Sequence, residues 1–261
     1  MAKTILDITT LGLKDGKYQI TKTEDIIYVV KSSATIEITS GAYAEVIDYL
    51  NNEDIKYIIN QSSTLKLHIL NSKNANRLYE VSGELLVNHI ALDETKENMH
   101  VNLNNPNAKV DYKLLNILKN KKSSFIQRVD HLKEETYSNI SNFGVAMSGA
   151  KVMFDTTGFI KKSMNKTNCR QLSKGVVMDD TSSITSKPIL LIDEYDCFAS
   201  HGAAIGKMSD EELFYLMSRG LTKNDAFLLI LNGIIKPFID EISVDEIKDD
   251  LNKKLDELIS E

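Results

Sequence analysis

Residues 64–90 read TLKLHIL-NSKNAN-RLYEV-SG-ELLVNHI, and this stretch decides the fold class. Apolar and polar residues alternate through Thr64–Leu70, the period of a half-buried strand. The runs Arg77–Val81 and Glu84–Ile90 follow after short breaks rich in Asn, Ser and Lys. Similar β-favouring runs extend in both directions. They include Ile26–Val30, Thr35–Thr39, Ala44–Leu50 and Ile55–Asn60 before it. Met99–Leu103, Lys109–Leu115, Ser124–Val129, Tyr137–Ile140, Gly144–Met147 and Lys151–Phe154 come after it. Their starts lie roughly ten residues apart, the rhythm of an all-β sandwich, a barrel or a stacked β-coil. The connecting turns, such as NSKNAN and NNPNAK, lack the Asn-Gly and Asp-Gly pairs of tight hairpins, which favours the coil. A coil of this kind buries its faces only by stacking rung on rung.

Beyond the β-rich body, Asp193–Ile242 passes from a strand-like run through a Gly/Ala-rich turn into two capped apolar helices. Ser209-Asp210-Glu211-Glu212 is a capping box, and Gly220 is placed to end the first helix in a left-handed cap. Thr222-Lys223-Asn224-Asp225 opens a second helix, apolar almost all round from Ala226 to Leu231, which must be covered on more than one side. A third start, Ser243-Val244-Asp245-Glu246, leads into a narrow stripe of Ile247, Leu251, Leu255 and Leu258, suited to packing on its own domain or on another protein. The expected division is a lead-in over 1–25, a β core over 26–206 and a helical docking module over 207–261.

The net charge of −6 is concentrated in residues 240–261, which hold nine acids against three lysines. The rest of the chain is balanced, and no segment forms the clustered basic surface that a phosphate backbone requires. Nucleic acid is therefore not an expected partner. Two cysteines, Cys169 and Cys197, make no disulfide framework and suggest a reducing, cytoplasmic setting. The first twenty residues carry no signal-peptide pattern, and no apolar run reaches membrane-spanning length.

Motifs of catalysis are missing from the sequence. It contains no phosphate-binding Gly-x-x-x-x-Gly-Lys loop, no Cys-x-x-Cys, no His-Glu-x-x-His and no Gly-x-Ser-x-Gly. What remains is Cys197-Phe198-Ala199-Ser200-His201-Gly202. If extended, Cys197 and His201 share a face but stand about 13 Å apart, too far to hold one ion, so a turn at Gly202 or a second subunit is needed. The carboxylates of Asp179, Asp180, Asp193, Glu194 and Asp196 lie near turns, where solvated and capping roles are commonest. The expectation is a protein that is not an enzyme.

The chain from His131 onward resembles the SufB/SufD family of the SUF iron–sulfur assembly machinery. The resemblance is carried by His131 with Thr136 and Ser138, by Phe154 and Gly158-Phe159-Ile160, by Thr167, Gln171 and Ser173, and by Ser186-Lys187-Pro188-Ile189-Leu190. It is densest at Ala199-Ser200-His201-Gly202-Ala203 with Gly206, then Glu211, Phe214-Tyr215-Leu216 and Ser218-Arg219-Gly220-Leu221, with Ala226 and Gly233 flanking. The half before His131 matches in pattern more than in residues. Three departures stand out: only about twenty-five residues precede the first β run, where family members usually carry a helical region; Gln171 is followed by Leu172, where SufB-type members place a cysteine; and Ser-His-Gly-Ala is the SufD-like form.

The resemblance implies a mainly β protein, a right-handed parallel β-helix with a C-terminal α-helical domain. It implies a scaffold that docks a SufC-like ABC ATPase through Phe214, Tyr215, Leu216, Arg219, Gly220 and Phe227. It further implies pairing as a homodimer or with a SufB-like protein, and iron or an iron–sulfur cluster at the subunit interface. His201 is the leading candidate contact there, followed by Cys197 and Glu194. For Phe227 core filling is an equal reading, and Arg219 also suits the helix C-terminus. Two other readings stay open. One is a β-helix carbohydrate-active enzyme, weakened by the absence of Trp; the other is a homo-oligomeric binding solenoid.

Overall fold

The structure is a computed structural model that describes residues 4–10, 16–21 and 25–260. Its strands, in chain order, are β1 (Thr4–Asp7), β2 (Lys17–Ile20), β3 (Ile26–Val30), β4 (Thr35–Ile38), β5 (Tyr43–Asp48), β6 (Glu53–Ile59), β7 (Thr64–Leu70), β8 (Asn74–Val81) and β9 (Glu84–Ala91). They continue as β10 (Lys96–Leu103), β11 (Lys109–Lys119), β12 (Lys122–His131), β13 (Tyr137–Met147), β14 (Lys151–Ile160), β15 (Thr167–Val177), β16 (Ser183–Ile192) and β17 (Cys197–Gly206). Odd-numbered strands form one nine-stranded sheet and even-numbered strands an eight-stranded one. Each strand pairs in parallel with the strands two before and two after it, except that the terminal strands β1, β2, β16 and β17 have one such neighbour each among the described residues. The chain thus alternates between two facing sheets and climbs one rung per pair, a parallel β-helix as expected from the ten-residue rhythm.

Rungs lengthen along the axis. Hydrogen-bonded groups on adjacent rungs are 19 residues apart at Thr39 and Ile20, 22 at Asn98 and Asn76, 28 at Lys121 and Asp93, and 31 at Thr136 and Thr167. Strands grow from four residues at β1 to eleven at β15. Corners between strands use left-handed backbone at Asn52, Asn71, Asn107 and Asn120, with φ between 54 and 64°. Asparagine tolerates that region, which explains the Asn-rich turns. Gly83 is demanded by crowding, because a Cβ there would meet the Ser63 carbonyl oxygen at 2.2 Å.

Strand alternation sorts side chains into an interior and two outer faces. The interior of the early rungs is mostly apolar, built from residues such as Ile36, Val46, Leu65 and Leu67. The outer face of the nine-stranded sheet is covered by two helices, α2 (Lys223–Asp240) and α3 (Asp245–Ser260), reached through α1 (Asp210–Ser218). Leu231, Ile235 and Ile239 of α2 and Leu251 and Leu255 of α3 pack on Ile27, Ile47, Leu70, Ile90 and Leu115. The α2–α3 elbow is also pinned by polar bonds. The Lys66 ammonium donates to the Glu241 carbonyl at 2.8 Å, Asn88 to the Phe238 carbonyl at 2.7 Å, and Ser243 Oγ to Glu45 at 2.7 Å. The Lys66 and Asn88 bonds satisfy carbonyls that the end of α2 leaves open, while Ser243 ties the elbow to a strand carboxylate.

The structure makes several of the expectations specific. The lead-in over 1–25 supplies two strands, β1 and β2, which pair in register with β3 and β4; its residues 1–3, 11–15 and 22–24 lie outside the described ones. The Gly/Ala-rich segment expected to turn is instead strand β17, which runs unbroken through Gly202 alongside β15. Small side chains leave the ladder intact because its hydrogen bonds come from the backbone. The stripe on α3 packs on its own domain. Helix α2 is less enclosed than its apolar run requires: Ala226 and Leu231 are buried while Leu229 is 51% exposed.

Candidate functional site

The solenoid ends at β16 and β17, whose outer edges are unpaired within the described residues. In β17 the register sets Cys197 beside Thr167, Ala199 beside Cys169, His201 beside Gln171 and Ala203 beside Ser173. The β15 partners all face the interior and are buried, so Cys197, Ala199, His201 and Ala203 continue the same inward row at the open rim. With no further rung above it, His201 is exposed and Cys197 half-buried.

The interior beneath this rim differs from that of the early rungs. Gln127, Asn142 and Thr156 bond to one another at 2.8 to 3.3 Å, closed off from water. His131 is held between Thr136 at 2.8 Å and Ser138 at 2.9 Å. Gln171 donates to the Ile189 carbonyl across the interior at 3.2 Å, yet its Oε1 is buried without a hydrogen-bond partner among the described residues. Gly158 admits Cys169 and Gln171 to this layer, because a Cβ there would stand 2.5 Å from Cys169 Sγ.

The three candidate cluster contacts occupy different environments. Glu194 is a turn-builder: its carboxylate accepts the Ser163 amide at 2.7 Å, the Tyr195 amide at 2.8 Å and the Asp196 amide at 3.0 Å. Those bonds, led by that from Asp196, hold its carboxyl below the usual range. Cys197 Sγ donates to the Glu194 carbonyl at 3.3 Å, and burial, with the nearby acids, pushes its thiol up. Burial likewise pushes up the Cys169 thiol. Among the described residues no three His, Cys, Asp or Glu side chains are grouped to hold a metal ion. The extended path of β17 therefore leaves Cys197 and His201 apart within one chain, as their spacing implies. Cys169 joins the inward row one rung below Ala199 through the ladder register, which sequence spacing alone does not reveal.

The docking candidates gather around α1. Ser209 caps this helix by accepting the Glu212 amide at 3.3 Å, and Gly220 closes it at φ 99°. Phe214 is 74% and Tyr215 56% exposed, and α1 buries none of its residues. Leu216 is half-buried, and the Arg219 guanidinium lies 5.3 Å over the Tyr215 ring. Phe227 is half-buried at the edge of the helix–sheet core, in a groove of about 570 Å³ with Met178, Met208 and Leu213.

The match to known proteins covers the solenoid and the first helices together. The family described as SUF system FeS cluster assembly, SufBD core domain, matches residues 19–234. The chain belongs to this SufBD family. It is 31% identical to the iron–sulfur cluster assembly protein SufD of Bacillus subtilis over 128 residues, which is 49% of this chain and 29% of that protein. A SufBD family protein of Pyrococcus horikoshii is 34% identical over 108 residues, 39% of this chain and 24% of the relative. The SufB protein of Bacillus subtilis is 29% identical over 115 residues, 44% of this chain and 25% of that protein. The chain thus spans under a third of the length of each of these SufBD relatives.

Proposed function

We propose that this chain is a non-enzymatic scaffold subunit in iron–sulfur cluster assembly. In this reading it docks a SufC-like ABC ATPase through α1 and pairs at its open end with a second SufB/SufD-type chain, either a copy of itself or a paralogue. The observation that carries the reading is α1. A nine-residue helix is too short to be stable by itself in water, and this one presents Phe214 and Tyr215 outward while none of its residues is fully buried. Exposed aromatics clustered beside an arginine are the usual anchors of protein interfaces.

The pairing is supported by the edge of β17. Ala199, Ser200, Gly202, Ala203 and Ala204 offer small neutral side chains, without the charges, prolines or bulges that normally keep an edge from adding a strand. Phe198, Ile189 and Leu191 are 40 to 52% exposed around it. Across such a pairing, His201 of one subunit would share iron or a cluster, the cargo of assembly, with a partner's groups. Cys197 would be a second contact, and Glu194 a poorer one because its oxygens already hold a turn. Movement of the docked ATPase would reach the rim through the short Lys207–Ser209 link between β17 and α1.

Co-expression with the cognate ATPase tests the docking. Changing Phe214 and Tyr215 together to Ala is expected to weaken co-purification by ~10-fold or more, the loss of a modest interface hot spot, with the melting profile unchanged. Undiminished binding by a folded double variant would overturn the assignment of α1.

A further inference from the structure

Midway along the solenoid a group of polar side chains from both sheets meets in a sealed interior. Asp48, His89 and Tyr112 come from the nine-stranded sheet; Tyr57, Arg77, Tyr79 and Glu97 come from the eight-stranded one. None of these seven is more than 3% exposed. The stacked rings of Tyr57 and Tyr79, 5.4 Å apart, flank the group on one side. Phe125 flanks it on the other, edge-on to His89 at 5.7 Å.

Two carboxylates share one guanidinium here, and they are not equivalent. Asp48 accepts Arg77 Nε at 3.0 Å, Arg77 Nη2 at 2.8 Å, the Leu50 amide at 2.8 Å and the Tyr57 hydroxyl at 2.8 Å. Glu97 accepts one bond from Arg77, at 2.9 Å, and its other oxygen lies 3.3 Å from the Tyr112 hydroxyl. A hydroxyl donating to an ionised carboxylate closes to about 2.5–2.7 Å. The short contact of Tyr112 is instead with His89 Nδ1, at 2.8 Å. His89 Nε2 is buried with no hydrogen-bond partner among the described residues, so an imidazolium would leave a charged N–H bare.

We propose that Glu97 is folded into the core as the neutral acid, while the Tyr112 hydroxyl donates to Nδ1 of a neutral His89 and keeps only a long contact with the Glu97 carboxyl. The Asp48–Arg77 pair alone then carries charge, and the network that ties the two sheets together holds one carboxylic acid proton. The titratable and charged groups facing Glu97 are Arg77 and Tyr79 on β8, Asp48 on β5, His89 on β9 and Tyr112 on β11; Arg77 is the sole cation among them and is already claimed by Asp48. Ionising Glu97 would place a second negative charge in the core without a second partner. Burial pushes the Glu97 carboxyl up against the pull of Arg77, and burial pushes His89 well down. An acid held above its unfolded value stabilises most at pH below that unfolded value, and its contribution fades as pH rises towards the folded one. The interior lock is therefore tighter in mild acid than in base.

The test compares the full chain with its Glu97→Gln and Asp48→Asn variants by urea unfolding over a range of pH, together with the infrared spectrum of the unsubstituted chain. Gln mimics the neutral acid. Glu97→Gln is expected to keep the parent midpoint in mild acid and to exceed it in base, whereas Asp48→Asn loses stability throughout. At neutral pH the parent chain should show a protonated-carboxyl band, absent from Glu97→Gln. A parent spectrum without that band overturns the proposal whether or not the variant folds. So does a Glu97→Gln midpoint that drops as far as that of Asp48→Asn at every pH.

Discussion

Gln171 and His201 are register partners on adjacent strands, the glutamine closed inside the last complete rung and the histidine standing open at the rim above it. One side chain is thus packed inside and the other open to solvent, though they occupy the same column of the sheet. His201→Ala is expected to change stability by no more than ~0.5 kcal/mol, as for exposed positions generally. In the reconstituted assembly the same substitution should lower iron content. Anaerobic reconstitution with iron analysis, beside urea unfolding of the isolated chain, measures both; equal iron loading would remove His201 from the site.

Gly158 is a packing requirement of the same layer. Gly158→Ala would press a methyl against Cys169 Sγ and, at 3.0 Å, against Gln171 Nε2. Overpacking of this kind costs about 1–3 kcal/mol. Cys169→Ala in the same chain should recover most of that loss, because it removes the closer of the two contacts; thermal unfolding of the single and double variants gives the coupling.

The attachment of the helices can be measured by cavity formation. Ile235 is buried between α2 and the nine-stranded sheet, whereas Leu229 on the same helix is half exposed. Ile235→Ala should destabilise by about 2–5 kcal/mol, and Leu229→Ala by far less. Comparable losses at both sites in denaturant unfolding would mean that α2 does not lie on the sheet in this orientation.

His131 gives the fold a sensitivity to acid. Thr136 spends its hydroxyl proton on the Lys133 carbonyl at 3.0 Å, so His131 Nδ1–H donates to Thr136 and Nε2 accepts from Ser138, a neutral imidazole. Burial pushes this histidine down to about 4 from its ordinary 6.5. A histidine held below its unfolded value contributes stability that is present above that value and is lost as pH falls through the folded one. That window runs from about 6.5 to 4 and corresponds to about 3 kcal/mol. Unfolding free energies of the parent and His131→Gln should converge as pH falls across it; a constant gap would contradict the assignment.

Much of the solenoid is legible in the sequence because the early interior is mostly apolar. Leu65, Leu67 and Ile69 alternate with polar neighbours, so the period shows directly. The last three strands are harder to read. Thr167, Gln171 and Ser173 face the interior in β15, and β17 is built from Ala, Gly and Ser, so neither carries the contrast that pattern reading needs. The interior ion pair was within reach of parity, since Arg77 shares a strand face with Tyr79 and Val81. Its partners Asp48 and Glu97 lie on other rungs, and only the fold brings them together. At the site, the separation of Cys197 and His201 follows from spacing, but their place on the inward row follows from register with β15.

The central claim is that α1 and the rim of β17 are used to assemble with other chains. Native mass measurement of the chain isolated without oxygen, from cells that also make a SufC-like ABC ATPase and SufB/SufD-type chains, reports subunits and bound iron together. The account predicts a particle containing this chain, a second SufB/SufD-type chain and an ABC ATPase, losing the ATPase when Phe214 and Tyr215 become Ala. A particle of this chain alone, under conditions where its partners are folded and present, would contradict it.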